Sequence, residues 1–316
     1  MITKTKLKSI RQTTKLLAGL ACLSISYGAN AFAPNGVRTL TCVAINWADT
    51  GTELTASKCK SLATNVANYY NRNSRGVLKL IPNGVTVDVP YTRTAANLKA
   101  AEALVKRTIK SDKYIIPALW KTGGNHASND IAHVVQTTYW VLQHEVGHLL
   151  GMGHSGQYVY NANGVPQLQN YGDADSVMGN NGSQFLNGPE YYMLGWLPKD
   201  EIATYDPSVK IYELKKVSNF TGDGLTAVVI PRPTGQPAVV SYPISCDACA
   251  ALYLTSSPRV TRKVGVTKAE WKDNNFTGIR LKVLDSSATT VTVEITEESL
   301  NQVTPTADAL DEEIIE

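Results

Sequence analysis

The chain has 316 residues, 43% of them hydrophobic, with 30 Lys and Arg against 27 Asp and Glu. That length can bury one large core or two moderate ones. The basic excess lies at the start: taking away Lys4, Lys6, Lys8, Arg11 and Lys15 leaves 25 basic residues against 27 acidic ones, a net charge of −2, which excludes a nucleic-acid or membrane partner recognised through a basic surface.

Those five cations are followed by an apolar stretch over 16–27 and then by Ala29-Asn30-Ala31. This is the order of a secretory signal peptide with a small-x-small cleavage site, here residues 1–31, and it predicts an extracellular or periplasmic protein. The apolar run is short for a bilayer and is broken by Ser24, Ser26 and Gly28, so no transmembrane anchor is expected. Four cysteines then remain, Cys42, Cys59, Cys246 and Cys249, an even number suited to an oxidising compartment. Of their three pairings the simplest joins Cys42 to Cys59 and Cys246 to Cys249; a redox role is the other reading of Cys246-Asp247-Ala248-Cys249. Periodicity predicts a strand over 38–46, a helix over 56–73, one or two strands over 76–89, a helix over 95–111 and a strand over 113–120. The Gly123-Gly124 turn, a short strand near 130–135 and a helix over 137–150 follow. That last helix carries Tyr139, Trp140, Leu142, Val146 and Leu149 around most of its circumference, and is expected to be buried except on its histidine side.

The histidine side is the most informative part of the chain. His144-Glu145-Val146-Gly147-His148-Leu149-Leu150-Gly151-Met152-Gly153-His154 fixes five chemically demanding positions within one short segment. Residues four apart share a helix face, so His144 and His148 can present two imidazoles to one ion. A third imidazole cannot come from the same helix, and Gly151 is placed to take the left-handed conformation that ends it and returns His154 to the metal. Three histidines leave one position open, which is the arrangement of a catalytic zinc site. Glu145, beside the first ligand, is the candidate general base: it can take a proton from water at the metal and pass it to a leaving amine.

The extended H-E-x-x-H-x-x-G-x-x-H motif resembles the signature of the metzincin zinc endopeptidases, in which a methionine-containing turn follows. Tyr171-Gly172-Asp173-Ala174-Asp175-Ser176-Val177-Met178-Gly179-Asn180 looks like that turn, and the resemblance implies that Met178 packs beneath the imidazoles without ligating. Together with Phe185-Leu186-Asn187-Gly188-Pro189 and Leu194-Gly195-Trp196, the segment is most similar to the gametolysin family of secreted or surface peptidases, which cut matrix and cell-wall proteins. The resemblance spans roughly residues 38 to 200. It implies a mixed twisted sheet with a zinc helix, one zinc ion, and a substrate laid as an extended strand along the strand just ahead of the helix, near residues 125–133. Asn180 stands where some clan members place a tyrosine ligand, so no tyrosine ligand is assigned. No prodomain is expected either, and latency through a propeptide cysteine is not inferred.

Other polar residues near the motif carry weaker readings. Asp173 could accept a hydrogen bond from a ligand imidazole or cap a turn, and Tyr171 is singled out with it. His126 and His133 lie seven apart with no carboxylate pattern nearby, which favours edge-strand or surface histidines over a second metal. Turn chemistry accounts for Asp175, Asn180 and Asn181, so calcium is not assigned.

Beyond Trp196 the chain turns to short β-branched runs, over 227–231, 238–244, 278–283 and 289–296, divided by Gly, Pro, Asn, Asp and Ser. The expectation is therefore an α+β protein: a signal peptide over 1–31, a zinc metallopeptidase domain over 32–200, a β-rich, sandwich-like accessory domain over 201–298, and an acidic, disordered tail over 299–316. Its expected function is hydrolysis of extracellular, matrix or cell-wall proteins. A zinc-containing adhesion module without turnover and a narrow amidase of cell-wall peptides are the alternatives.

Overall fold

Strand and helix alternate through the first part of the chain, as periodicity predicts. The computed structural model describes residues 34–119, 121, 124–128, 130–179, 183–233, 235–256 and 260–298. The signal segment over 1–31, Gly123, Asn180, Asn181 and the tail over 299–316 lie outside the described residues. In chain order the first elements are β1 (Gly36–Trp47), α1 (Ala56–Asn73), β2 (Leu78–Val89), α2 (Ala95–Thr108), β3 (Lys113–Pro117), β4 (His126–Ser128), β5 (Ile131–Val134) and α3 (Tyr139–Leu149). Thr55 and Thr94 open the two crossover helices, each accepting a hydrogen bond from the backbone N–H three residues on.

The five strands form one sheet in the order β2-β1-β3-β5-β4. All its pairs are parallel except β4 with β5. Parallel strands need cover on both faces. Leu40, Cys42, Ile115, Ala132 and Val134 face a core shared with α1 and α3, while Val43, Ile45, Ile116 and Ile131 face α2. The Cys42–Cys59 disulfide fixes α1 to β1. The strand directly ahead of α3, β5, lies inside this sheet. The exposed edge expected there belongs to β4 instead, whose three residues are too few to show a period.

After α3 come β6 (Ser155–Tyr160), β7 (Pro166–Gln169), the short helix α4 (Gly188–Met193), β8 (Ile202–Thr204), β9 (Ile211–Lys215), β10 (Ala227–Ile230) and β11 (Ala238–Ser241). The last elements are β12 (Ala250–Ser256), β13 (Val260–Thr267), β14 (Glu270–Lys272), β15 (Ile279–Ser286) and β16 (Thr290–Glu297). Seven of these strands make a second sheet, β7-β6-β13-β12-β11-β10-β8, and four make a third, β14-β15-β16-β9. The two sheets pack face to face: Val228, Val240, Leu252 and Val264 meet Leu214, Leu281, Val291, Val293 and Ile295. The other face of the second sheet gives Ala227 and Val239 to the core that also holds α1 and α3.

The described residues form a mixed α+β architecture with three sheets and few helices. Its second sheet takes β6 and β7 from ahead of residue 200 and its other strands from behind it, so the segments expected as catalytic and accessory share one sheet. The described residues, between 34 and 298, belong to one compact unit. No described helix is long and apolar enough to cross a membrane. The second disulfide, Cys246–Cys249, closes a loop between β11 and β12.

Candidate metal centre

Helix α3 packs Leu142, Val146 and Leu149 into the core with His144 and Glu145 buried beside them. Tyr139 and Trp140, expected inside, are 49% and 44% exposed: they belong to the first turn and stand outside the stripe formed by the three aliphatic residues. Gly147 is tolerated inside a helix at a cost of about 1 kcal/mol relative to Ala. Its missing side chain leaves room for a close approach, since a Cβ there would collide with the Sδ of Met178 and crowd the Tyr70 hydroxyl. Met178 is fully buried against that gap. Tyr70 in turn donates its hydroxyl to the Gln143 carbonyl at 2.5 Å.

The helix ends where the sequence places its glycine. Gly151 has φ +81°. Its N–H donates to the His148 carbonyl at 2.8 Å and the Met152 N–H donates to the Gly147 carbonyl at 3.1 Å, the paired bonds of a Schellman ending. This turn also directs the Met152 carbonyl back to the helix, where it lies 2.8 Å from His148 Nδ1. His144 Nδ1 lies 2.9 Å from the Val177 carbonyl, contributed by the turn that holds Met178. A carbonyl can only accept, so both imidazoles carry their proton on Nδ1 and present a bare Nε2.

Those two Nε2 atoms are 3.1 Å apart. Nitrogens bound at about 2.0–2.1 Å in a tetrahedral set lie about 3.3 Å from each other, so the spacing fits one shared ion. His154, immediately ahead of β6, completes the set: the candidate ligand atoms of His144, His148 and His154 all lie within 4.8 Å of one another. Tyr171 packs on this third ring, with centroids 4.2 Å apart.

Burial dominates the electrostatics. It lowers the proton affinity of His144 against the opposing Val177 hydrogen bond, pulls His148 down to about 3 with the help of the neighbouring rings, and pulls His154 down to about 4 with contributions from His144 and Arg262. All three imidazoles are therefore neutral at neutral pH, the form in which they could ligate an ion. The same burial pushes Glu145 up to about 7. Glu145 is 6% exposed, and its Oε2 has no hydrogen-bond partner among the described residues. An unpartnered buried carboxylate oxygen next to three converging imidazoles fits a bound metal and its water.

The turn that carries Met178 rests on a polar network that the sequence did not disclose. Asp173 accepts from Ser155 Oγ, Asn187 Nδ2, Lys263 Nζ and the Asp175 N–H. Its oxygens therefore serve the fold, and the imidazole partners seen for His144 and His148 are backbone carbonyls. Lys263, from β13, lies 2.6 Å from Asp173 and 2.7 Å from Asp175, with both carboxylates almost completely buried. Asp175 also accepts from the Ser245 N–H, which ties the turn to the loop closed by Cys246–Cys249. Asn187 and Glu190 form a capping box at α4, and Glu190 accepts from Ser176, two residues before Met178. The spacing Asn-x-x-Glu with a proline between was the available signal for this helix.

His126 and His133 sit away from the triad. They are direct cross-strand partners on β4 and β5, and Glu102 of α2 lies 3.0 Å from His133, so the carboxylate not seen in the local sequence comes from a different element. Compared with known proteins, the chain matches no family model and no curated protein.

Proposed function

We propose that the chain is a secreted zinc-dependent endopeptidase of the metzincin type, acting on extracellular, matrix or cell-wall proteins. The observation that carries this reading is the convergence of three neutral imidazoles beside a buried carboxylate with an unpartnered oxygen. When bound, zinc supplies a Lewis acid and a water of lowered pKa. The remaining tasks fall to the chain. His144, His148 and His154 would hold the ion, with the Val177 and Met152 carbonyls fixing the orientation of the first two. Glu145 takes the water's proton and returns it to the leaving amine nitrogen. β4, at the open edge of the first sheet, offers backbone hydrogen bonds to an extended substrate. The two disulfides support export.

The test compares the wild type with Glu145→Ala for zinc content and for cleavage of casein, gelatin and a mixed peptide library, with and without a chelator. The expected outcome is about one zinc retained at the triad in both proteins and a loss of turnover of roughly 10²–10⁴-fold or more in the variant. Cleavage surviving in Glu145→Ala would remove its assigned role, and zinc without cleavage in the wild type would favour the adhesion module.

A further inference from the structure

We propose that His126, His133 and Glu102 form a second divalent-metal site, on the face of the first sheet opposite the triad. Side chains two apart on a strand share a face. Ile131 packs against α2 while Ala132 and Val134 pack toward α3, so His133 points to α2. Glu102 comes from α2 to meet it, and His126 comes from the neighbouring strand as its direct partner in register.

The geometry of this histidine pair nearly repeats that of the triad. The His126 and His133 rings have centroids 4.5 Å apart and planes at 83°; for His144 and His148 the values are 4.7 Å and 87°. His133 Nε2 is 3.0 Å from Glu102 Oε1, a separation that two ligands of one small ion would have. The pair is not aligned as a hydrogen bond, and neither ring nitrogen of His133 has a hydrogen-bond partner among the described residues although the residue is only 6% exposed. A buried imidazole whose one polar contact, Glu102, is not aligned as a hydrogen bond is an anomaly that a cation between the two would resolve. His126 is half-buried at the sheet edge, which leaves an entry path; its ring nitrogens are not yet gathered with those of the other two groups as the triad's are, so binding an ion requires its side chain to turn inward. Two imidazoles and a carboxylate, with water completing the shell, select zinc or another borderline first-row ion over calcium or magnesium. Such an ion would tie α2 to β4 and so brace the edge strand from behind. Its role is structural and independent of the triad's chemistry.

Metal counting on the full chain tests the proposal. Each protein is saturated with zinc, desalted, checked for folding by circular dichroism and analysed by plasma mass spectrometry. About two zinc ions per chain are expected for the wild type and about one for His144→Ala/His148→Ala. Adding His126→Ala or Glu102→Gln to that double variant should remove the remaining ion; the first lies at the sheet edge and the second keeps the size and shape of the side chain it replaces. Zinc lost completely from folded His144→Ala/His148→Ala would overturn the second site. So would a count unchanged by both His126→Ala and Glu102→Gln. Zinc held only by the second cluster would support this inference while sinking the triad reading, so the two failures are distinct.

Discussion

Glu145 and the triad histidines respond to the same burial in opposite directions, because loss of water disfavours whichever form is charged. For His148 and His154 the folded values of about 3 and about 4 lie below the usual 6.5, so the unfolded chain binds more protons than the folded one across that interval. Their contribution to stability is complete above about 6.5 and is lost as pH falls toward 4 and 3. Glu145 works the other way: its folded value of about 7 lies above the usual 4.5, so its contribution is present at low pH and lost as pH rises through 7. Two imidazoles outweigh one carboxyl in the interval they share. Metal-free protein is therefore expected to lose stability as pH drops from about 6.5 to about 4, more steeply in Glu145→Gln, which lacks the opposing group. Urea midpoints across that range in chelator give the measurement, and zinc saturation should raise them at pH 7 by mass action. A flat profile in chelator would contradict neutral, buried imidazoles in the folded state.

Gly151 does at the level of an element what those side chains do singly: it converts a helix into a three-ligand site. At φ +81° an L side chain is strained, and Ala there costs about 1–2 kcal/mol. The same turn aims the Met152 carbonyl at His148 and sets the start of β6 behind His154, so strain at this point reaches two ligands. Gly151→Ala is expected to weaken zinc binding by about tenfold or more besides lowering the unfolding midpoint. Gly164→Ala is the control, with a φ of +73° in the β6–β7 connection. It should show the backbone cost with unchanged zinc affinity; equal zinc affinity in the two variants would separate the turn from the metal. The α3 site was legible because a helical period of four and one glycine encode it within eleven consecutive positions. β4, β6 and β7 were not, because strands of three to six residues are too short to show a period that separates them from loops. Gly147 was also unread: the reason for a glycine there is Met178, and that contact exists only once the later turn has folded beneath the helix.

At the scale of the molecule, the α+β class and the sandwich of short strands could be read from composition, but the way the late strands hold the metal-site turn could not. β6 pairs in parallel with β13, and Ser155 meets Thr261 across 106 positions of sequence. No local pattern announces such a partnership, and Lys263 looks like any strand-surface lysine until β13 is set beside β6. The consequence is that the β-rich segment belongs to the metal site's foundation. Deleting the residues after 200 would open the edge of β6, take Thr261 from Ser155 and Asn187, and leave Asp173 and Asp175 without Lys263. Breaking a buried ion pair by removing one partner costs about 3–5 kcal/mol, a large share of the 5–15 kcal/mol that holds a typical domain together. The fragment 32–200 is therefore expected to lack a cooperative unfolding transition and to hold no zinc after desalting, whereas the chain over 32–298 should show both. Near-UV circular dichroism, thermal unfolding and metal content of the two proteins decide it. A folded, zinc-loaded fragment would mean that the first sheet and α3 support the triad without the second sheet, and that the lysine–aspartate network serves some end other than holding the turn that carries Met178.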